Sequence, residues 1–153
     1  VIEAFNKLGW RLIVIGAGPE KNRLRQLAGP TIKLLGFQKR ARLVQLLAHS
    51  QGLILPSEED FGLVAVEAMA AGRPVLAYRA GGALETVVPN QTGAFFDAQA
   101  VEVLVASLSE LRRRLKDYNP LAIQAHAQQF SAERFRQSLK QFVDEKYASF
   151  VQS

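Results

Sequence analysis

The 153 residues contain no cysteine. This excludes a disulfide framework, a thiolate-held metal and a cysteine nucleophile, and it fits a reducing compartment. Histidine occurs twice, at His49 and His126, far apart and in unlike surroundings, so a histidine metal cage is excluded and no metal is expected. No apolar run approaches the roughly 20 residues that span a bilayer. The chain opens on Val1-Ile2-Glu3-Ala4-Phe5, which reads as the middle of a helix. The expectation is a fragment of a longer, cytoplasmic protein that touches a membrane, if at all, peripherally at its inner face.

Hydrophobic residues make up 48% and charged residues 22%, the composition of a globular protein. The length suits one domain over residues 1–153. The net charge of +5 points to an anionic partner (phosphate, nucleic acid or a membrane surface) or to scattered solvated charge.

Short apolar runs alternate with longer amphipathic ones. Residues 11–15, 31–35, 52–55, 74–78 and 93–96 read as strands. Residues 1–8, 20–28, 41–49, 61–72 and 82–88 read as the helices between them, with Leu24 and Leu27, then Leu43, Leu46 and Leu47, facing inward. This order predicts an α/β fold, a doubly wound parallel sheet with right-handed crossovers. Ligands of such sheets bind at the carboxyl ends of the strands. The loops of interest are therefore residues 16–19, 36–39, 56–62 and 79–82. Carboxyl-terminal helices follow: Val101, Leu104, Val105, Leu108, Leu111 and Leu115 form one stripe, residues 121–129 a second helix, and Ser131 caps a third with Phe135, Leu139, Phe142, Val143 and Tyr147 along one side.

Gly16-Ala17-Gly18 invites a dinucleotide reading, which fails on detail. Lys21 stands where the third glycine belongs, and residues 33–38 carry no acid to hold a ribose. A tight strand-to-helix turn, with room for a phosphate near its amides, accounts for the glycines.

Residues 57–72 are the most informative. Glu58, Glu59 and Asp60 precede a helix start, where negative charge is favourable, and Asp60 is expected to cap it. Glu67 is the single charge between Phe61 and Gly72. A lone carboxylate on so apolar a helix must face solvent, pair with a cation or bind a ligand. It lies about 7.5 Å along the axis from Gly62, within reach of the crevice above the sheet. An acceptor-only carboxylate suits a vicinal diol such as a ribose. The amides of Gly62, Leu63 and Val64 suit a phosphate or sugar oxygen. Arg79 to Thr86, with Gly81-Gly82, offers a second helix start.

Arg112-Arg113-Arg114 and Lys116 form a basic cluster, read as a solvated face or as a contact to anionic lipid. No aromatics interleave it, and no RNP, helix-turn-helix or zinc-finger pattern occurs, so nucleic acid is not the expected partner. His126, among alanines and glutamines, reads as a surface or satisfied core histidine.

Glu59 and Glu67 form an E-x7-E spacing inside the longer pattern from Pro56-Ser57 through Phe61-Gly62-Leu63 to Glu67-Ala68-Met69-Ala70-Ala71-Gly72-Arg73-Pro74-Val75. This resembles the carboxyl-terminal half of retaining glycosyltransferases of the GT-B fold, family 4. The Gly16-Ala17-Gly18-Pro19 turn, Leu35-Gly36-Phe37, Gly81-Gly82 with Glu85, and Thr92-Gly93 fall in the same order as in that family. The resemblance covers essentially the whole chain, and its wording is nearest to mannosyltransferases of bacterial polysaccharide assembly.

The resemblance implies a Rossmann-like half that binds the nucleotide-sugar donor, GDP-mannose or a UDP-hexose, with no cofactor or metal. Glu59, with Phe61 and Gly62, would meet the donor sugar, and Glu67 the ribose hydroxyls. Leu63, Val64 and Gly16 would hold the diphosphate, and Gly36 and Phe37 would line the base. Transfer would proceed with retention, by a front-face path in which the departing phosphate helps the acceptor. An arginine and a lysine that clamp the diphosphate in the family would lie before Val1, as would the half that binds a saccharide or lipid-linked acceptor. Five strands are readable where the family has six, so the fragment is expected to bind donor weakly and to be inactive alone. The rival readings are a non-catalytic module of the same fold and a basic nucleic-acid-binding domain.

Overall fold

In the computed structural model, which describes residues 1–151, helices and strands alternate as the apolar runs predict. The order is α1 (Ile2–Leu8), β1 (Leu12–Ile15), α2 (Lys21–Leu27), β2 (Ile32–Gly36), α3 (Arg40–Ala48), β3 (Leu53–Leu55), α4 (Leu63–Ala70), β4 (Val75–Tyr78), α5 (Ala83–Thr86) and β5 (Gly93–Phe96). Then follow α6 (Val101–Arg113), a 3₁₀ turn (Leu115–Asp117), α7 (Pro120–Ala127), a second 3₁₀ turn (Gln128–Phe130) and α8 (Ala132–Val151).

All strand pairs are parallel, but they form two ladders rather than one sheet. β1 pairs with β2, and β4 lies between β3 and β5. No described strand pairs with both ladders, so strand hydrogen bonding does not run from one to the other. Helices join the ladders instead. α1 packs on β2 and α6, and α6 lies on β4 and β5; on the other face α3 meets α4, and α4 meets α7. Arg112 stacks over Trp10, 4.2 Å from the ring, and Lys7 Nζ donates to Glu102 Oε1 at 2.7 Å, both fastening the start of the chain to α6.

The core centres on β4 and α4. Val75, Leu76 and Ala77, with Ala65, Ala68 and Met69, are wholly buried. A strand buried on both faces needs the continuous apolar run seen at residues 75–78. The α6 stripe packs as its spacing predicts, burying Leu104, Leu108 and Leu111. Tyr118 closes that side, its hydroxyl donating to the Gly93 carbonyl at 3.1 Å, and burial pushes its phenol above the ordinary tyrosine value.

Two expectations, for α2 and for residues 82–88, need correction. α2 buries nothing: Leu24 is half-buried and Leu27 exposed, because this helix has few elements to pack against. α8 has the predicted stripe and a Ser131 Oγ cap on the Arg134 amide at 3.4 Å, and Phe135, Leu139, Phe142, Val143 and Tyr147 along the stripe are all exposed. The 82–88 helix shortens to the single turn of α5. Between α6 and α7, Asn119 caps and Pro120 opens the new helix at a position where proline's missing N–H costs nothing.

Candidate functional site

Parallel strands deliver their carboxyl-end loops to one end of each ladder. The loops after β1 and β2 join through the Gly16 amide, which donates to the Gly36 carbonyl at 3.0 Å. The loops after β3 and β4 join through the Gly82 amide, which donates to the Glu59 carbonyl at 2.7 Å. Only glycine allows the second junction: a Cβ at Gly81 would strike the Glu59 carbonyl, and one at Gly82 the Asp60 carbonyl. Across the two ladders, Arg40 at the start of α3 reaches Glu67 on α4, with Nη1 to Oε1 at 3.6 Å.

The start of α4 differs from its expectation. Its N-cap is Gly62, at φ 75° in the left-handed region, and no side chain caps the helix, so Asp60 does not serve as the cap. The glycine turn swings the chain between Asp60 and the first helical residue, carrying the aspartate away from the helix axis. The consequence is chemical. A helix start leaves its first amides without carbonyl partners, and no carboxylate side chain occupies those of Leu63 and Val64 here. The partial positive charge of the helix end is therefore available to an anion.

Glu67 sits one turn further along α4. Its side chain keeps 37% exposure, and its one ion-pair partner, Arg40, keeps 85%. Of the three fates open to this carboxylate, the structure realises cation pairing while leaving the group accessible. So exposed a pair contributes little to stability. Beside it, a cavity of about 180 Å³ runs between α3 and α4, lined by Leu43, Val44, Leu47, Ala70 and Ala71. Arg40 was not legible as a partner, because 27 residues separate it from Glu67 and only the α3–α4 packing brings them together.

Glu59 lies in the loop between β3 and α4, where Ser57 Oγ donates to its Oε1 at 2.7 Å. Phe61 meets Phe130 edge-on at 5.9 Å between ring centroids, and Phe130 meets His126 at 5.5 Å. His126 is half-buried and satisfied within the chain. Its Nε2 lies 2.9 Å from the Thr86 carbonyl, which can only accept, so the proton sits on Nε2. Phe37 projects from the β2 loop with 80% exposure, a bare aromatic face at the mouth of the other ladder. The Gly16 amide is spent on Gly36, so this glycine offers a ligand close approach along its backbone rather than that N–H.

The basic cluster is dispersed by the fold. Arg112 stacks on Trp10, Arg113 pairs with Glu110 at 2.6 Å, and Arg114 bonds Asn90 at 2.6 Å and lies 3.6 Å from Asp117. The three guanidinium groups thus point to separate partners within the chain. Among the described residues, no helix is long and apolar enough to cross a membrane.

Comparison with known proteins places this arrangement. The sequence model of the glycosyl transferases group 1 matches residues 1–128. The sulfoquinovosyl transferase of Arabidopsis thaliana is 32% identical over 148 residues, covering 92% of this chain and 28% of that protein. A GDP-mannose-dependent phosphatidylinositol monomannoside mannosyltransferase of Corynebacterium glutamicum is 33% identical over 112 residues, covering 66% of this chain and 29% of that protein. Among solved structures, Anabaena HepE in complex with UDP and glucose superposes with a TM-score of 0.78 at 27% identity, covering 94% of this chain and 43% of that one. A Rickettsia africae glycosyltransferase superposes with a TM-score of 0.81 at 23% identity, covering 94% and 42%. The chain thus spans under a third of the curated relatives named here and under half of these solved chains. With its motifs in order, its loops gathered at one end of parallel ladders and the family model matching most of its length, the chain belongs to the group 1 glycosyl transferases, with the fold of GT-B enzymes.

Proposed function

We propose that this chain is the donor-binding part of a retaining glycosyltransferase. The full protein would move a hexose, mannose by preference, from a nucleoside-diphosphate sugar to a saccharide or lipid-linked acceptor. The carrying observation is the start of α4: uncapped Leu63 and Val64 amides, with Glu59 on the loop before them and an accessible Glu67 one turn beyond. In this reading the amides take diphosphate or sugar oxygens, Glu67 takes the ribose diol and Glu59 the sugar. Phe61 and Gly62 shape the wall beside the sugar, and Gly16 lets the diphosphate come close. Gly36 and the exposed Phe37 face the base. The nucleotide sugar enters as substrate, and no resident cofactor or metal is invoked. The preference for mannose rests on the wording of residues 58–62 and on GDP-mannose-dependent relatives.

The test is a titration of GDP-mannose, UDP-glucose and UDP-GlcNAc against the full-length enzyme and its Glu67→Ala variant. Loss of one charge-assisted pair of hydrogen bonds is expected to weaken donor binding about tenfold or more, with GDP-mannose the tightest donor in the wild type. Unchanged donor affinity in the variant would remove Glu67 from the ribose.

A further inference from the structure

Glu59 belongs to a loop rather than to a helix or strand, and its side chain is exposed. Packing therefore does not choose its rotamer. On the reading above this carboxylate must nonetheless meet a sugar hydroxyl in one orientation, because small misplacements at a reacting centre are costly. We propose that Ser57 and Gln99 are positioning residues that hold Glu59 ready for the donor sugar.

Three hydrogen bonds from separate parts of the chain converge on the loop. Ser57 Oγ donates to Glu59 Oε1 at 2.7 Å and fixes the carboxylate itself. The Gly82 amide, from the turn after β4, donates to the Glu59 carbonyl at 2.7 Å and fixes its backbone. Gln99 Nε2, between β5 and α6, donates to the Pro56 carbonyl at 3.1 Å and fixes the point where the loop leaves β3. The loop is thus pinned at its origin, its backbone and its functional side chain. The Ser57 bond engages Oε1 and leaves Oε2 without a hydrogen-bond partner among the described residues. Ser57 precedes Glu59 by two residues, so the bond is local to the loop. Gln99 works differently. It ties the loop to the far side of β4, so that the loop moves with the buried ladder.

The division of labour has a kinetic signature. Ser57 touches no substrate, so its loss leaves donor binding nearly intact but spreads Glu59 over unproductive orientations. In the full-length enzyme, Ser57→Ala is expected to lower kcat about tenfold while donor KM changes less than about threefold. Ser57→Thr, which keeps the hydroxyl, restores kcat to within about threefold of wild type. Gln99→Ala lowers kcat by about threefold, one uncharged bond further from the carboxylate. In a Glu59→Ala background, Ser57→Ala adds little further loss, since the carboxylate it positions is gone. Thermal midpoints of the Ser57 variants match wild type, because the residue is exposed.

A Ser57→Ala enzyme with unaltered kcat overturns the inference, as does an undiminished Ser57→Ala effect in the Glu59→Ala background or failure of threonine to rescue. Those results leave the glycosyltransferase reading standing if Glu59→Gln itself is impaired. Wild-type activity in Glu59→Gln would instead remove the sugar role of Glu59 and this inference with it.

Discussion

The two ladders hold the same kind of strand in different surroundings. β4 is flanked by β3 and β5 and roofed by α4 and α6, so Val75, Leu76 and Ala77 are wholly buried. β1 pairs on one edge alone, and its Ile13 keeps 47% exposure despite an equally apolar sequence. Hydrophobicity is the same in both; neighbours are not. The stable ladder carries Glu59, Glu67 and the α4 start, and the open one carries Gly16, Gly36 and Phe37. In the proposed site, Glu59, Glu67 and the α4 start therefore extend from the better-buried of the two ladders.

The largest test of that contrast is a pair of truncations. Leu76→Ala is expected to cost about 2–5 kcal/mol, for lost transfer energy and the cavity left behind. Ile13→Ala, already half in water, should cost less than about 1 kcal/mol. Urea unfolding of both variants reads the difference, and equal losses would break the comparison. A smaller effect sharpens it. Arg40→Ala removes the ion pair that spans the two ladders at the site, yet should alter stability by no more than about 0.5 kcal/mol, because both partners are solvent-exposed. A larger loss would make that pair a structural clasp.

The smallest effect is a pH dependence at the Lys7–Glu102 pair, which fastens α1 to α6. The hydrogen bond from Lys7 holds the Glu102 carboxyl below its ordinary value. A carboxyl depressed in the folded state contributes stability that is present above its unfolded pKa and lost as pH falls through the folded one. The thermal midpoint of Lys7→Ala should therefore lie slightly below wild type at neutral pH, and the two should converge in acid below the glutamate range. A gap that persists there would show that Lys7 acts through packing rather than charge.

Much of the molecule was legible because its causes are local. The strand at 75–78 follows from an uninterrupted apolar run, and α6 from leucines spaced to bury Leu104, Leu108 and Leu111. The Ser131 cap and the Asn119-Pro120 boundary follow from side chains acting within three residues of themselves. The glycine-flanked E-x7-E segment was legible as the candidate site for the same reason: its spacing is a property of the chain. The misplaced Asp60 cap belongs to a second kind of feature, where the left-handed turn at Gly62 outweighed a residue's usual preference.

Sequence alone thus determined the alternation of helix and strand, the parallel pairing of strands and the family, since periodicity, turn chemistry and motif spacing are short-range. Tertiary structure decided the rest. It split the sheet into two ladders, left the α8 stripe exposed, scattered the arginine cluster onto Trp10, Glu110 and Asn90, and set Arg40 beside Glu67. Each depends on which distant surfaces meet, and burial and charge pairing belong to the meeting of surfaces rather than to either residue alone.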